Sequence, residues 1–449
     1  MSIHTKALLK VSLLLIVFAT VTNAQQVNSL PYEIGVLPSR STVAIKNAHI
    51  FPVTGPEIQN GTVIINNGKI EAIGTNVSVP MGATQIDATG LSVYPGMIDT
   101  GTSMGLVEVP QGAPGTADTT EVGDMNPNSK AIVAVSPYSA HIAVTRVNGI
   151  TTVVTMPVGG VISGQAALIN LVGTTPTEMA ISPSIALVIN FPRAGGTTFD
   201  AFFNRQQPNL AEAVTARDKQ INELRKLLND AMAYGKAQDA YASDPKLPRP
   251  NRNTVLESLV PFVRGERPVI FRAEREVEIR GAVKFAGELK LKPIILGGYD
   301  AAKVASLLKQ QDVPVIITGV LELPQQEDDY YDSLYELPAK LKEAGVRFCI
   351  STGNSAAEVR DLPYNAGMAS AFGLSHDEAL KAVTLYPAQI FGVSNRIGSL
   401  EVGKDANLVI TDGDLLDART HTRYLFIDGR QLPLTNRHTE LYDAFKNRK

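Results

Sequence analysis

The sequence predicts an α/β chain: a β/α barrel accompanied by a small β module assembled from both chain ends. Three observations carry this. Short β-rich runs with hairpin signals fill residues 41–95 and return after residue 398, whereas apolar strands alternate with helical stretches in between. The length, 449 residues, suits one large barrel plus a smaller unit. Apolar residues make up 44% of the chain and Trp is absent, so the core must be built from Val, Ile, Leu and Ala, as the cores of parallel sheets are.

The elements are read in chain order. Residues 1–24 have the form of a secretory signal: His4, Lys6 and Lys10, an apolar run from Val11 to Val21, and the small-residue site Thr22-Asn23-Ala24. The run is too short for a membrane span, so cleavage before Gln25 is expected, with export to the periplasm or beyond. The mature chain then carries 39 basic and 44 acidic residues, a formal charge of −5. That balance, without a basic run, argues against nucleic acid or an anionic membrane as the main partner. The single Cys349 excludes an intrachain disulfide and reads as buried packing.

Residues 25–40, with Pro31 and Pro38, read as a linker or an edge arm, and residues 25–95 as a whole as the N-terminal part of the β module. Within it, Asn67-Gly68 separates two β-rich runs and predicts a hairpin. Residues 96–393 form the barrel. Its candidate strands are Tyr94–Asp99, Thr151–Met156, Ile185–Ile189, Val269–Arg272, Pro293–Leu296, Pro314–Thr318 and Arg347–Thr352. These are seven, and eight would close a barrel. Inside this region Asn209–Ala242 reads as a helix, with Leu210, Val214, Ile221, Leu224, Leu228 and Met232 at near-helical spacing, Asn209/Glu212 as a capping box, and Pro245 beyond its end. It either packs on the barrel or meets a partner. Residues 394–430 return to β, with Gly398-Ser399-Leu400, Ala406–Thr411 and Tyr424–Asp428 as short strands, and 431–449 form a polar tail.

Five motifs in this order resemble the amidohydrolase superfamily. They are Gly61-Thr62-Val63-Ile64-Ile65 through Ile70, Asp87-Ala88-Thr89-Gly90 through Pro95-Gly96-Met97-Ile98-Asp99, Gly149-Ile150-Thr151-Thr152-Val153, Leu380 through Ala388, and Gly398-Ser399-Leu400 through Val409. Arg272-Ala273-Glu274-Arg275 and Ile295-Leu296-Gly297-Gly298 make the chain most similar to the imidazolonepropionase-like exported branch. The resemblance implies a (β/α)8 TIM-type barrel flanked by a small β-sandwich built from both chain ends. It also implies hydrolysis of carbon–nitrogen bonds other than peptide bonds, with one or two divalent metals at the C-terminal mouth of the barrel.

The residues at the metal positions depart from that pattern. The family's His-x-His pair falls on Gly101 and Ser103, its strand 5 His on Arg272, its strand 6 His near Gly298, and its strand 8 Asp on Gly353. Glycine offers no donor atom, and a guanidinium has no lone pair and repels a cation. After cleavage the five histidines are His49, His141, His376, His421 and His438, too scattered for the usual cluster. No cofactor is therefore expected; Zn, Mn or Mg would enter only through a rearranged site.

The polar residues expected at the mouth include Thr102, Ser103, Arg272, Glu274, Arg275, Tyr299, Asp300, Ser351, Thr352 and Asn354, with Arg360, Tyr364 and Asn365 on the next segment. Of these, Ser103, Arg272, Glu274, Tyr299, Asn354, Tyr364 and Asn365 are the ligand-binding candidates. Arg272 could take a metal's electrostatic place and hold a carboxylate, or could pair with Glu274. Gly159-Gly160 and Gly164-Gln165 flank what reads as the next βα turn, and Asp118–Glu121 lies in a loop that is either a lid or a solvated acidic segment.

Three functions remain open at this point. One is a degenerate member that binds a small molecule or partners a competent relative. Another is an active hydrolase of non-peptide carbon–nitrogen bonds, or of dipeptides, whose site is rearranged around acids such as Glu108, Asp118 and Glu121. The third is an interaction protein using the 209–242 helix, as a homo-oligomer or otherwise.

Overall fold

The computed structural model describes residues 40–109, 114–194, 209–325 and 329–448, all within one compact unit. The signal segment and nearly all of the linker lie outside the described residues. No helix among the described residues is long and apolar enough to cross a membrane.

The smaller module is one eight-stranded sheet fed from both chain ends. Its N-terminal strands are β1 (Val43–Ile50), β2 (Ile58–Asn66), β3 (Lys69–Gly74), β4 (Thr84–Asp87) and β5 (Ser92–Pro95). Its C-terminal strands are β14 (Leu408–Thr411), β15 (Thr422–Ile427) and β16 (Arg430–Leu432). Their order is β16-β15-β14-β5-β1-β2-β3, with β4 also pairing with β1. The Asn67-Gly68 hairpin forms as read: φ is +48° and +81°, which the turn requires and these two residues tolerate. Alternating residues such as Val43, Ile45, Val63, Ile65, Leu408 and Phe426 close a separate apolar core. Gly398-Ser399-Leu400 is a turn and not a strand, and the tail contains a helix, Arg437–Phe445.

The second sheet is the barrel, in the order β13-β12-β11-β10-β9-β8-β7-β6. Its strands are β6 (Met97–Thr102), β7 (Ile150–Thr155), β8 (Ile162–Asn170), β9 (Ala180–Asn190), β10 (Val269–Ala273), β11 (Pro293–Gly297), β12 (Val315–Thr318) and β13 (Phe348–Ser351). The expected strand Tyr94–Asp99 divides at Gly96, where the chain leaves the end sheet for the barrel. A Cβ on Gly96 would lie 2.2 Å from the Thr151 side chain, so this crossing needs glycine.

The eighth strand is β8, and it corrects the all-parallel expectation. It runs antiparallel to both β7 and β9, while the other neighbouring pairs are parallel. The connection 156–161 is too short for a helical crossover, so only a hairpin return is open to it. Gly159-Gly160 therefore turns a hairpin rather than a βα unit, with φ of +85° and +61°. The long loop after β6 is fastened to this hairpin. The Val158 N–H donates to the Thr119 carbonyl, and the Val161 and Ile162 N–H groups both donate to the Asp124 carbonyl.

Ile98, Leu168, Val188, Ile270, Leu296, Ile316 and Cys349 meet in the barrel core, joined by Ala388 in the helix Leu385–Ile390 and Phe391 at its C-terminal end. Between the first and last strands the seam is stitched by side chains. Fully buried Asp99 accepts hydrogen bonds from the Ser351 hydroxyl at 2.5 Å, the Thr352 hydroxyl at 2.5 Å, and the N–H groups of Thr352 and Gly101. Asn407 joins the two modules. Its amide donates to Asn170 at 2.8 Å and Thr152 at 3.2 Å, and its side-chain oxygen accepts from the Asp428 N–H.

The 34-residue helix Leu210–Ser243 starts at the Asn209 cap, whose side chain accepts from the Glu212 N–H. It buries Leu224, Leu228, Ala231 and Gly235, and it packs on the helix Thr254–Val263; a Cβ on Gly235 would sit 3.3 Å from Val260. Leu210 remains exposed.

Candidate functional site

The C-terminal ends of β6, β7 and β9–β13 open on one face of the barrel, and the sequence candidates divide there. Arg272 has the inward parity of Ile270 on β10 and stands in register with Leu296 of β11 and Asn190 of β9. Its Nε is buried without a hydrogen-bond partner, and the guanidinium forms no ion pair among the described residues. Burial pulls its pKa down, opposed by the charge of Glu274. The two are close enough to feel each other but not in ion-pair contact.

Glu274 follows β10, its backbone N–H held by the Glu278 carboxylate at 2.9 Å. Its carboxylate accepts the Tyr299 N–H at 3.3 Å. It lies over Gly297, where a Cβ would come 2.1 Å from Oε1, so a side chain at the end of β11 would displace it. Burial raises the Glu274 pKa to about 7, and the charges of Glu278 and Glu322 push the same way against Arg272 and the Tyr299 N–H.

Glu322 is the mouth residue that the sequence did not announce. It follows β12 with its N–H donated to the Gly319 carbonyl at 2.8 Å. Its carboxyl lies over Gly319, and its Oε1 is 3.9 Å from where a Cβ of Gly353 would stand. Burial and then Glu358 raise its pKa. No motif marks it; the sequence signal is a glycine at or just past the end of each of three successive strands.

The family's metal positions are occupied differently. A Cβ on Gly101 would fall 2.7 Å from the Ser351 hydroxyl and 3.3 Å from Leu296, so the space a larger side chain needs is taken. Ser103 is buried and donates to the Asn354 carbonyl at 2.6 Å, while the Asn354 side chain is exposed. Gly298 turns away from the mouth, since its Cβ would meet Val315 at 2.7 Å. Gly353 is the one position with room, its nearest neighbours being Thr318 at 3.8 Å and Glu322. Among the described residues no three His, Cys, Asp or Glu side chains are grouped to hold a metal ion.

Other candidates lie elsewhere or are engaged. The Tyr299 ring is covered by Arg275, with the guanidinium 4.5 Å from its centroid, and Arg275 bridges Asp300 at 3.5 Å and Asp329 at 3.4 Å. The Asn365 amide donates to the Asp361 carbonyl and its oxygen accepts the Leu321 N–H, which pins the loop carrying Glu322. Tyr364 meets Asn148 at 3.5 Å in a groove shared with residues of the end sheet, not at the mouth. Glu108 caps the helix Ala140–Arg146 through the Ala140 N–H, and its carbonyl faces the His141 ring at 3.0 Å. Asp118 and Glu121 are exposed. Three of the histidines pair with acids away from the mouth: His49 with Glu57, His376 with Asp414 and His421 with Asp412.

Comparison with known proteins matches this architecture. Residues 300–435 fit the model of the amidohydrolase family. Amidohydrolase tasK of Hapsidospora irregularis is 22% identical over 391 residues, covering 82% of this chain and 39% of that protein. Imidazolonepropionase of Rhizobium meliloti is 31% identical over 153 residues, covering 33% of this chain and 35% of that protein. The chain thus spans about two fifths or less of these curated relatives. The crystal structure of an amidohydrolase from Thermotoga maritima superposes with a TM-score of 0.77 at 25% identity, covering 88% of this chain and 100% of that one. The strand order, the two-ended sheet, the motif series and these matches together support the amidohydrolase superfamily.

Proposed function

We propose that this protein is a metal-independent amidohydrolase-family member whose barrel mouth binds a small carboxylate-bearing molecule. The observation that carries the proposal is Arg272: an inward-facing guanidinium with a buried, unpartnered Nε and no ion-pair contact among the described residues. Folding a desolvated charge without a partner is costly, and a bound carboxylate would supply two charge-assisted hydrogen bonds in the geometry a guanidinium fits. The residues at the family's metal positions do not suit a divalent ion. Gly101 lacks both donor and space, Asp99 is engaged by four donors, and Arg272 would repel the cation. The relatives' names are those of carbon–nitrogen hydrolases, and a ligand resembling such a substrate or product is consistent with them. Export of the mature chain from Gln25 and pairing with a competent relative belong to the same proposal.

Calorimetric titration with 4-methylpentanoate and phenylacetate, on the wild type and on Arg272→Met, tests it. Binding that weakens by about tenfold or more in the variant is the expected result. Equal affinity for both proteins would remove Arg272 from the site.

A second reading is favoured by one observation. Glu274 titrates at about 7 in the mouth, where a general base for hydrolysis would be tuned. Turnover of N-acyl amino acids that disappears in Glu274→Gln would establish it.

A further inference from the structure

The mouth has a second pole. Three neighbouring strands, β11, β12 and β13, end at or just before glycines with left-handed backbone: Gly297 at φ +102°, Gly319 at +64° and Gly353 at +89°. The missing side chains leave an arc of space, and two carboxylates enter it from the rim loops. Glu274 lies over Gly297, and Glu322 lies over Gly319 and faces Gly353. Neither forms an ion pair among the described residues. Among the described residues the Glu274 carboxylate accepts only the Tyr299 N–H, and the Glu322 carboxylate accepts no hydrogen bond. Glu278 and Glu358 add negative potential behind them. Arg272 reaches Glu274 only through its charge and without contact, so neither the carboxylates nor the guanidinium has an ion-pair partner among the described residues.

The two deficits are complementary and remain separate. A ligand carrying only a carboxylate would satisfy Arg272 but would bring a negative charge towards Glu274 and Glu322. A simple amine would satisfy the carboxylates and leave Arg272 desolvated. We infer that the mouth takes a zwitterion: its carboxylate on Arg272, its ammonium group between Glu274 and Glu322. An α-amino acid is the smallest molecule of this class. The inference rests on the reading of Arg272 as the carboxylate anchor and adds the charge of the ligand's other end.

The test separates the two claims. The standard L-amino acids are screened against the purified protein by thermal unfolding at millimolar concentration. The best binder is then titrated beside its des-amino acid and its decarboxylated amine. The amino acid should bind at least about tenfold more tightly than either analogue. Glu322→Gln and Glu274→Gln, which keep size and shape, should each erase that preference while leaving affinity for the des-amino acid unchanged or higher. A des-amino acid that binds as tightly as the amino acid would overturn the zwitterion and leave Arg272 standing. Loss of neither ligand in Arg272→Met would overturn both claims. No unfolding shift with any amino acid would overturn the zwitterion.

Discussion

Replacing Arg272 by Met should make the ligand-free protein more stable. In most proteins the loss of a buried arginine removes an ion pair and leaves a partner stranded, at a cost of several kcal/mol. Here no partner is stranded, because the guanidinium makes no hydrogen bond or ion pair among the described residues. A buried N–H without an acceptor costs about 1–3 kcal/mol, and removing it recovers that amount. Met keeps most of the apolar stem beside Leu296 and Ile270, so little packing is lost. Glu274 would lose its nearby cation, but it can take up a proton near neutrality instead. The net expectation is a gain of about 1–2 kcal/mol. Urea unfolding followed by circular dichroism at pH 6 measures it, since the chain has no Trp to report by fluorescence. A loss of stability in the variant would mean that Arg272 is satisfied within the fold, and the ligand argument would lose its foundation.

Four other outcomes follow from the same geometry. Glu274 has a folded pKa of about 7 against 4.5 unfolded, so the folded state binds the extra proton. Its contribution is neutral below pH 4.5, grows increasingly destabilising between 4.5 and 7, and levels off above 7 at about 2–4 kcal/mol. Glu274→Gln should therefore match the wild type near pH 4.5 and exceed it at pH 8; parallel stability profiles would refute this. Asp99→Ala strips the seam of an acceptor for four donors and should cost about 3–5 kcal/mol in urea unfolding. Gly297→Ala places a methyl group on the Glu274 carboxylate and forces an unfavourable φ; a loss of about 2–4 kcal/mol is expected, with the Glu274 titration shifted. Elemental analysis of the purified protein after dialysis against Zn, Mn and Mg should find each at background, and one tightly held ion per chain would instead support a rearranged hydrolase.

Much of the architecture was legible because hydrophobic pattern and turn chemistry act locally. Asn67-Gly68 specifies its hairpin wherever it occurs, and Asn209 caps its helix with the Glu212 N–H. Strand β8 was not legible as barrel wall. Ile162–Asn170 mixes small, polar and apolar residues because all of it is buried, and no alternation survives. The short connection before it was the available signal, and it excludes a helical crossover. At the site, Arg272 and Glu274 could be read because they sit on a strand end that the motif locates. Glu322 arrives from a loop whose path depends on the Asn365 anchor and the turn at Gly319, neither of which has a sequence period. Tyr364 was adjacent in sequence to mouth residues, but the helix Leu362–Ala371 directs its hydroxyl to Asn148.

The sheet fed from both ends also sets a timetable for the newborn chain. Strand β5 pairs on one edge with β1, available at once, and on the other with β14, which follows the whole barrel in sequence. Until synthesis reaches residue 408, Val93 and Tyr94 present an unpaired edge, and the apolar core beneath lacks Leu408, Ile410 and Phe426. Such an edge invites strand addition from other chains. A chaperone or a translocation channel that holds the first hundred residues extended would protect the protein during this interval, and truncation after the barrel should yield aggregates and not a smaller soluble domain.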